Sequence, residues 1–200
     1  MDFILATGNP GKAREVLAFF GSGHTVRTLA DIGYFEEIVE DGQTFEDNAT
    51  IKAKEVHNWY KGSYDYILAD DSGLIVDAMD GGPGVQTATW MGTDIGYEEK
   101  TSKMLELLAD VPMDKRTARF VSVIVAINPA GKLQTVKGIL EGAISSSKAG
   151  LEGFGYDPIF YVPELGKNLA ELELAEKNKI SHRAKAMKLI CDKLGVKFNG

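Results

Sequence analysis

Cysteine, histidine and long apolar runs are scarce in this sequence, and each scarcity excludes a class of protein. Cys191 is the only cysteine among 200 residues, which rules out an internal disulfide and suits a reducing, cytoplasmic environment. His24, His57 and His182 lie far apart in the sequence, so no zinc-ligand spacing is present. No apolar run is longer than that from Val123 to Ile127, which is far too short to cross a bilayer, so no membrane partner is expected.

Positive charge is also in short supply. The chain has 22 Lys and Arg against 29 Asp and Glu, a net charge of −7, which works against nonspecific nucleic-acid binding. A phosphate-binding site would therefore depend on a few local cations and on a metal ion. Met1-Asp2 precedes the first apolar residues without a basic segment, so a signal peptide is not expected. The 44% apolar content predicts one domain, or one domain with two lobes, spanning residues 1–200.

The most informative motif is the turn Thr7-Gly8-Asn9-Pro10-Gly11-Lys12, which lies between an apolar strand and an amphipathic helix. A helix N-terminus leaves backbone N–H groups unpaired and its dipole favours anions, while Lys12 adds a full positive charge. The turn differs from a Walker A loop because the spacing from Gly8 to Lys12 is too short and no Ser or Thr follows the lysine. It predicts a phosphate cradle, and the alternative is an ordinary turn with a solvated lysine.

Strand and helix patterns alternate along the chain, which predicts an α/β fold with a mixed sheet. Thr44 and Asp47 form a capping-box pattern at the second helix, whose spacing places Lys52 beside a buried face. The final helix is expected to begin after Ser181 as N-cap and to end at Gly195. The expected strands are 2–6, 24–28, 66–70, 73–78, 118–127, 133–144 and 159–162, and the other helices are 12–20, 45–60 and 97–109.

Two acidic segments are candidates for a metal site. Asp70-Asp71-Ser72-Gly73 follows an apolar strand, where a carboxylate is unfavourable unless a cation binds it. Adjacent aspartates on a strand point to opposite faces, so at most one of them faces a given site. Oxygen ligands without soft partners favour Mg²⁺. The alternative is a polar turn between two strands. Within the second segment, 36–41, position alone does not select a ligand.

Two further segments combine a ring side chain with a charged one, and the first of them is also rich in glycine. Gly153-Phe154-Gly155-Tyr156-Asp157-Pro158 could present an aromatic ring to a nucleobase, or Phe154 could belong to the core. His182 and Arg183 place donors at a helix N-terminus, where they oppose the dipole and therefore suggest a ligand. Most charges of the basic stretch 177–188 are expected on a solvated helix face.

Taken together, these motifs resemble the inosine triphosphate pyrophosphatase family. The resemblance runs from Phe3 to about Leu194, with five motifs in the family's order and spacing. It implies Mg²⁺-dependent hydrolysis of the non-standard purine nucleotides ITP, dITP and XTP to the monophosphate and pyrophosphate. It also implies an elongated mixed sheet flanked by helices, two lobes with the active-site cleft between them, and a homodimer.

The resemblance also assigns roles to residues of this chain. Asp71 becomes the proton acceptor and, with Glu40, a metal ligand. The implied substrate-binding residues are Thr7, Gly8, Asn9, Pro10, Gly11, Lys12, Lys52, Ser72, Phe154, Gly155, Tyr156, Asp157, Lys177, His182 and Arg183. The last two are placed near the base, where N–H donors would favour the O6 acceptor of hypoxanthine and xanthine over the 6-amino group of adenine. Guanine also carries O6, so rejection of GTP must involve its 2-amino group.

One segment departs from the family pattern. After Pro83-Gly84-Val85 the family often has an aromatic residue and Ser-Ala-Arg, whereas this chain has Gln86-Thr87-Ala88-Thr89. The change concerns substrate breadth or a subunit contact rather than the metal chemistry. Two alternatives stay open at this stage: a related pyrophosphatase acting on pyrimidine or modified nucleotides, and a nucleotide-binding sensor without turnover.

Overall fold

The computed structural model describes residues 1–197, which form a seven-stranded sheet and five α-helices. The strands are β1 (Asp2–Leu5), β2 (Thr25–Thr28), β3 (Tyr66–Val76), β4 (Thr117–Ile127), β5 (Leu133–Ile144), β6 (Phe160–Val162) and β7 (Lys167–Asn168). The helices are α1 (Pro10–Phe20), α2 (Phe45–Trp59), α3 (Tyr97–Leu107), α4 (Leu174–Ile180) and α5 (His182–Leu194).

The strand order in the sheet is β2-β1-β3-β4-β5-β6-β7. β1 pairs in parallel with β2 and β3, in a register that sets Ile4 opposite Arg27 and Ile67. β6 pairs antiparallel with β5 and β7. The predicted α/β class with a mixed sheet is therefore confirmed.

The chain divides into two compact units. Unit 1 contains residues 1–71, 122–138 and the chain from His182 onward, and unit 2 contains residues 72–121 and 139–181. In unit 1, α1 packs against α5, and the core is built from β1, β3, β4 and these two helices. Phe3 stacks on Phe20 with ring centroids 4.8 Å apart, while Met187 and Ile190 bury the inner face of α5.

Unit 2 has its own core. Its buried side chains come from β3 to β6, from α3 and from the segment around Tyr156, and they include Met104, Phe120 and Phe160. Among the residues that the structure describes, no helix has both the length and the apolar character needed to span a bilayer.

Several predicted boundaries shift for physical reasons. The two strands expected at 66–70 and 73–78 are one strand, β3, so the alternative of a polar turn at Asp70–Gly73 is wrong. The hydrogen bonds of a strand involve only the backbone. They can therefore continue through Asp70 and Asp71, because cationic side chains pair with the two carboxylates. α1 begins two residues before the expected Lys12, because Pro10 is compatible with the first helical turn.

Candidate active site

The phosphate-cradle motif forms the junction of β1 and α1, and Asn9 caps the helix. The Asn9 side-chain oxygen accepts hydrogen bonds from the backbone N–H groups of Gly11 (2.9 Å) and Lys12 (3.2 Å). The Asn9 N–H in turn donates to the Thr7 hydroxyl at 3.2 Å. The expectation of several unpaired N–H groups is therefore wrong for these three, because the Asn9 side chain accepts from two of them and the Thr7 hydroxyl accepts from the third. The cationic charge of the turn rests on Lys12.

Lys12 extends from α1 toward the two aspartates of β3. Its Nζ lies 2.9 Å from Asp70 Oδ2 and 4.0 Å from Asp71 Oδ1. Burial lowers the pKa of Lys12, and the nearby cations Lys52 and Arg183 lower it further, against the opposing effect of the aspartates. An anion bound beside this lysine would stabilise its charged form, and a phosphate-binding cation needs this property.

Lys52 approaches Asp71 from α2. The capping box at Thr44 and Asp47 fixes the start of this helix, and its buried face contains Asn48, Ala49, Lys52, Ala53 and Val56. Lys52 Nζ lies 3.3 Å from Asp71 Oδ1 and 2.5 Å from Glu40 Oε2. The predicted placement of Lys52 beside a buried face is confirmed, and Glu40 is the member of the acidic run 36–41 that reaches it.

Asp71 is thus a buried carboxylate with cations on one side and carboxylates near it. Its Oδ2 accepts a hydrogen bond from Asn48 Nδ2 at 3.3 Å. Burial raises the pKa of Asp71, and the charges of Glu40 and Asp70 add to this effect, whereas Lys52 and Lys12 oppose it. A carboxylate with a raised pKa is a better proton acceptor than an ordinary surface aspartate.

Asp70 shares Lys12 with Asp71, but its other partners differ. Arg183 donates to Asp70 Oδ2 from Nε and Nη2, each at 3.3 Å, and from Nη1 to Glu15. Ser122 donates its hydroxyl proton to Asp70 Oδ1. Although burial raises the pKa of Asp70, the charges of Arg183 and Lys12 outweigh it and hold the pKa far below the usual range. Asp70 is therefore a permanent anion in unit 1.

Residues at the start of α5 are buried rather than solvated. His182 and Arg183 are 4% and 2% exposed, and Lys177, in α4, is 2% exposed. The expectation of a solvated face holds for Lys179, Lys185 and Lys188 and is wrong for Lys177 and Arg183, because each is paired with a carboxylate. A Cβ at Gly138 of β5 would lie 2.1 Å from the His182 carbonyl oxygen, so only glycine allows α5 to pack here.

The glycine-rich aromatic loop belongs to unit 2. Phe154 is half-buried, while Tyr156 is 1% exposed and forms part of the core. Asp157 accepts hydrogen bonds from the Phe154 N–H (2.8 Å) and from the Lys177 ammonium, which also lies 5.0 Å from the Phe154 ring centroid. The Phe154 ring therefore lies beside the buried ion pair of Asp157 and Lys177.

Unit 2 also contains the segment that departs from the family pattern. Tyr156 donates its hydroxyl proton to the Thr87 carbonyl at 3.3 Å, and the buried Lys100 donates to the Ala88 carbonyl at 2.6 Å. Ser72 continues β3 beyond Asp71 and is half-buried.

Sequence reasoning missed three residues of the unit 1 cluster: Glu15, Asn48 and Ser122. Two signals were available. Asn48 lies four residues before Lys52, hence on the same helix face, and Ser122 is a lone polar residue in the apolar run of β4. Glu15 gives no such signal, because a glutamate in an amphipathic helix is ordinary.

The carboxylates of the cluster fit a divalent cation only in part. Within residues 1–197 no group of three or more His, Cys, Asp or Glu side chains is arranged to hold a metal. Two carboxylates, Asp71 and Glu40, do converge on one ammonium group, that of Lys52. Mg²⁺ is commonly held by one or two carboxylates together with substrate phosphates, so this pair fits a magnesium site completed by the substrate.

Comparison with known proteins identifies the family of this chain. The sequence profile of the Ham1 family matches residues 3–193. A dITP/XTP pyrophosphatase of Geobacter sulfurreducens is 46% identical over 193 residues, covering 96% of each chain. A protein of the same name from Exiguobacterium sibiricum is 44% identical over 189 residues, covering 94% of each chain.

A solved structure gives the same result at the level of the fold. The Ham1 protein of Staphylococcus aureus superposes with a TM-score of 0.84 at 34% identity, covering 98% of both chains. The family resemblance drawn from the motifs is thereby confirmed: this chain belongs to the Ham1 family.

Proposed function

We propose that this protein hydrolyses dITP, ITP and XTP to the nucleoside monophosphate and pyrophosphate in a Mg²⁺-dependent reaction. The relatives named dITP/XTP pyrophosphatase support hydrolysis of a triphosphate anhydride bond. The observation that carries the proposal is the arrangement around Asp71: a buried carboxylate that meets the ammonium groups of Lys12 and Lys52, with Glu40 paired to the same Lys52 ammonium.

In this proposal Lys12 and Lys52 bind the triphosphate. Both ammonium groups lie within 4.0 Å of Asp71 Oδ1, so they would meet phosphate oxygens close to the reacting water. Negative charge grows on the departing pyrophosphate as the anhydride bond breaks, and two fixed cations stabilise it. The other residues of the motif, Thr7 to Gly11, shape the turn from which Lys12 extends.

Asp71 would accept the proton of the attacking water. The water oxygen bonds to phosphorus, the anhydride P–O bond breaks, and the released proton passes to the Asp71 carboxylate. Asn48 and Lys52 fix the orientation of this carboxylate through one hydrogen bond each. Glu40 and Asp71 would hold Mg²⁺, which when bound neutralises phosphate oxygens and lowers the energy of the charged transition state.

The family pattern assigns nucleoside binding to a further set of residues. These are Ser72, Phe154, Gly155, Tyr156, Asp157, Lys177, His182 and Arg183. Phe154 presents a half-buried ring, and stacking of a base on an aromatic ring is worth about 1–3 kcal/mol. Tyr156, by contrast, is buried in the core of unit 2.

Selection of the oxo purines is proposed to depend on His182. A ring N–H facing the purine would match the O6 acceptor of hypoxanthine or xanthine and would face the amino group of adenine unfavourably. Arg183 was expected to share this task, but its guanidinium is engaged by Asp70 and Glu15. A homodimer and a cytoplasmic location stay predictions.

Pyrophosphate release from dITP, XTP, dATP, dGTP and dTTP, each with Mg²⁺, tests the proposal. Rapid release from dITP and XTP alone supports it. Preference for dTTP would favour a pyrimidine-directed pyrophosphatase, and tight dITP binding without products would favour a sensor. Either of these two results would overturn the proposal.

A further inference from the structure

Asp70 is a buried carboxylate that the proposed reaction does not use. It is 2% exposed, and both of its side-chain oxygens accept protein donors. Oδ2 is shared by the Lys12 ammonium (2.9 Å) and the Arg183 guanidinium (3.3 Å), while Oδ1 accepts the Ser122 hydroxyl proton. This environment differs from that of its neighbour Asp71, which faces Lys52 and Asn48.

We propose that Asp70 is a positioning residue, which holds the Lys12 ammonium where the departing pyrophosphate needs it, and that it is not a metal ligand. The inference rests on the proposed function, because that function gives Lys12 its task. A metal ligand needs an accessible lone pair, whereas Asp70 is buried and already meets two cations and a hydroxyl donor. Asp71 and Glu40 are thus left as the carboxylates able to bind Mg²⁺.

Lys12 needs such an anchor because of its chemistry. A lysine ammonium is a compact charge on a flexible four-carbon stem, and holding it in one place costs side-chain entropy. Asp70 offers its carboxylate Oδ2 at 2.9 Å and its backbone carbonyl at 3.5 Å to the same ammonium. The ammonium is thereby fixed 4.0 Å from Asp71 before any substrate arrives. Such preorganisation stabilises transition-state charge without a cost at the moment of reaction.

Ser122 completes the anchor from the opposite side. It is fully buried within the apolar run of β4, where a hydroxyl is unfavourable unless its proton is used. Its hydrogen bond to Oδ1 fixes the rotation of the Asp70 carboxylate and so directs Oδ2 at Lys12 and Arg183. Ser122 therefore allows a test that leaves every charge in the cluster in place.

The experiment is a double-mutant cycle of Ser122→Ala with Lys12→Met, read out by calorimetric binding of pyrophosphate in the presence of Mg²⁺. We expect Ser122→Ala to weaken pyrophosphate binding about fivefold to tenfold in the wild-type background and to have no effect in the Lys12→Met background. Binding of dIMP should be unchanged in Ser122→Ala. Thr101→Ala, which removes a buried hydroxyl from α3 of unit 2, is the matched control and should leave pyrophosphate binding unchanged.

Three results would overturn the inference. They are an equal loss of pyrophosphate and dIMP affinity in Ser122→Ala, the same loss with Lys12→Met present, and a raised Mg²⁺ concentration for half-maximal pyrophosphate binding in Asp70→Asn. The third would make Asp70 a metal ligand. These measurements need no turnover, so a wild-type protein that binds pyrophosphate but does not hydrolyse dITP would contradict the proposed function and leave this test intact.

Discussion

Lys52 Nζ lies 2.5 Å from Glu40 Oε2, although Lys52 is buried in α2 and the Glu40 side chain is 39% exposed. The contact ties an exposed acidic segment to a buried cation. It also brings the Glu40 carboxylate to the same ammonium that binds Asp71, so the two carboxylates of the proposed Mg²⁺ site come from different segments.

Replacing Glu40 by glutamine should therefore raise the Mg²⁺ requirement. An amide keeps the size of the side chain but loses the negative charge that Mg²⁺ prefers. We expect the Mg²⁺ concentration for half-maximal dITP hydrolysis to rise about tenfold or more, measured by titrating Mg²⁺ at saturating dITP. Glu37→Gln, in the same exposed run, is the control, and an equal response of both variants would contradict the assignment of Glu40.

Asp71→Asn should abolish turnover while preserving the fold. The amide cannot accept the proton of the attacking water, so loss of a general base is expected to lower kcat by about a hundredfold to ten-thousandfold. Burial raises the pKa of Asp71, so its ionised form is less stable in the folded chain than in the unfolded chain. The variant should consequently melt at the wild-type temperature or above, and near-normal pyrophosphate release from it would refute the role of Asp71.

His182→Ala should reduce discrimination between dITP and dATP. Removing the imidazole donor weakens the match with O6 of hypoxanthine and relieves the mismatch with the adenine amino group. The kcat/KM value for dITP divided by that for dATP should therefore fall about tenfold. The ratio is the measurement, because a general loss of stability lowers both rates together. An unchanged ratio would show that the oxo edge is not recognised by His182.

Cys191 should resist alkylation in the folded protein. Burial raises the pKa of its thiol to about 12, and the neighbouring charge of Asp192 adds to the effect. Because the thiolate is the reactive form, iodoacetamide at pH 8 should label the native protein far more slowly than the protein unfolded in guanidinium. The same shift makes folding stability depend on pH. Burial of the neutral thiol stabilises the fold fully below the unfolded pKa near 9, and this contribution is lost as the pH rises toward 12. Rapid labelling of the native chain would contradict the buried position of Cys191.

The elements of the fold were largely predictable because their sequence patterns are local. α2 and β5 agree with the prediction to within one residue, since a capping box and a turn motif mark their ends. β3 was divided in two because aspartates are rare in strands, and the cations that stabilise them come from distant parts of the chain. α4 was not predicted, because seven residues carry too little periodicity.

The candidate site was predictable only in part. The motifs predicted Lys12, Lys52 and Asp71, and the family resemblance added Glu40, whereas the partners of Arg183 and Asp70 could not be read from the sequence. The Arg183–Asp70 pair joins residues 113 positions apart, and such contacts depend on how strands and helices pack rather than on local spacing. Buried charge pairs of this kind look like solvated residues until the tertiary structure is known.

Phosphorus-31 NMR of the products formed from dITP and Mg²⁺ tests the central claim most directly. If Lys12 and Lys52 stabilise a departing pyrophosphate while Asp71 activates water, dIMP and pyrophosphate should appear in equal amounts, without an orthophosphate signal. Formation of dIDP and orthophosphate would show that a different anhydride bond is cleaved, and would contradict the account.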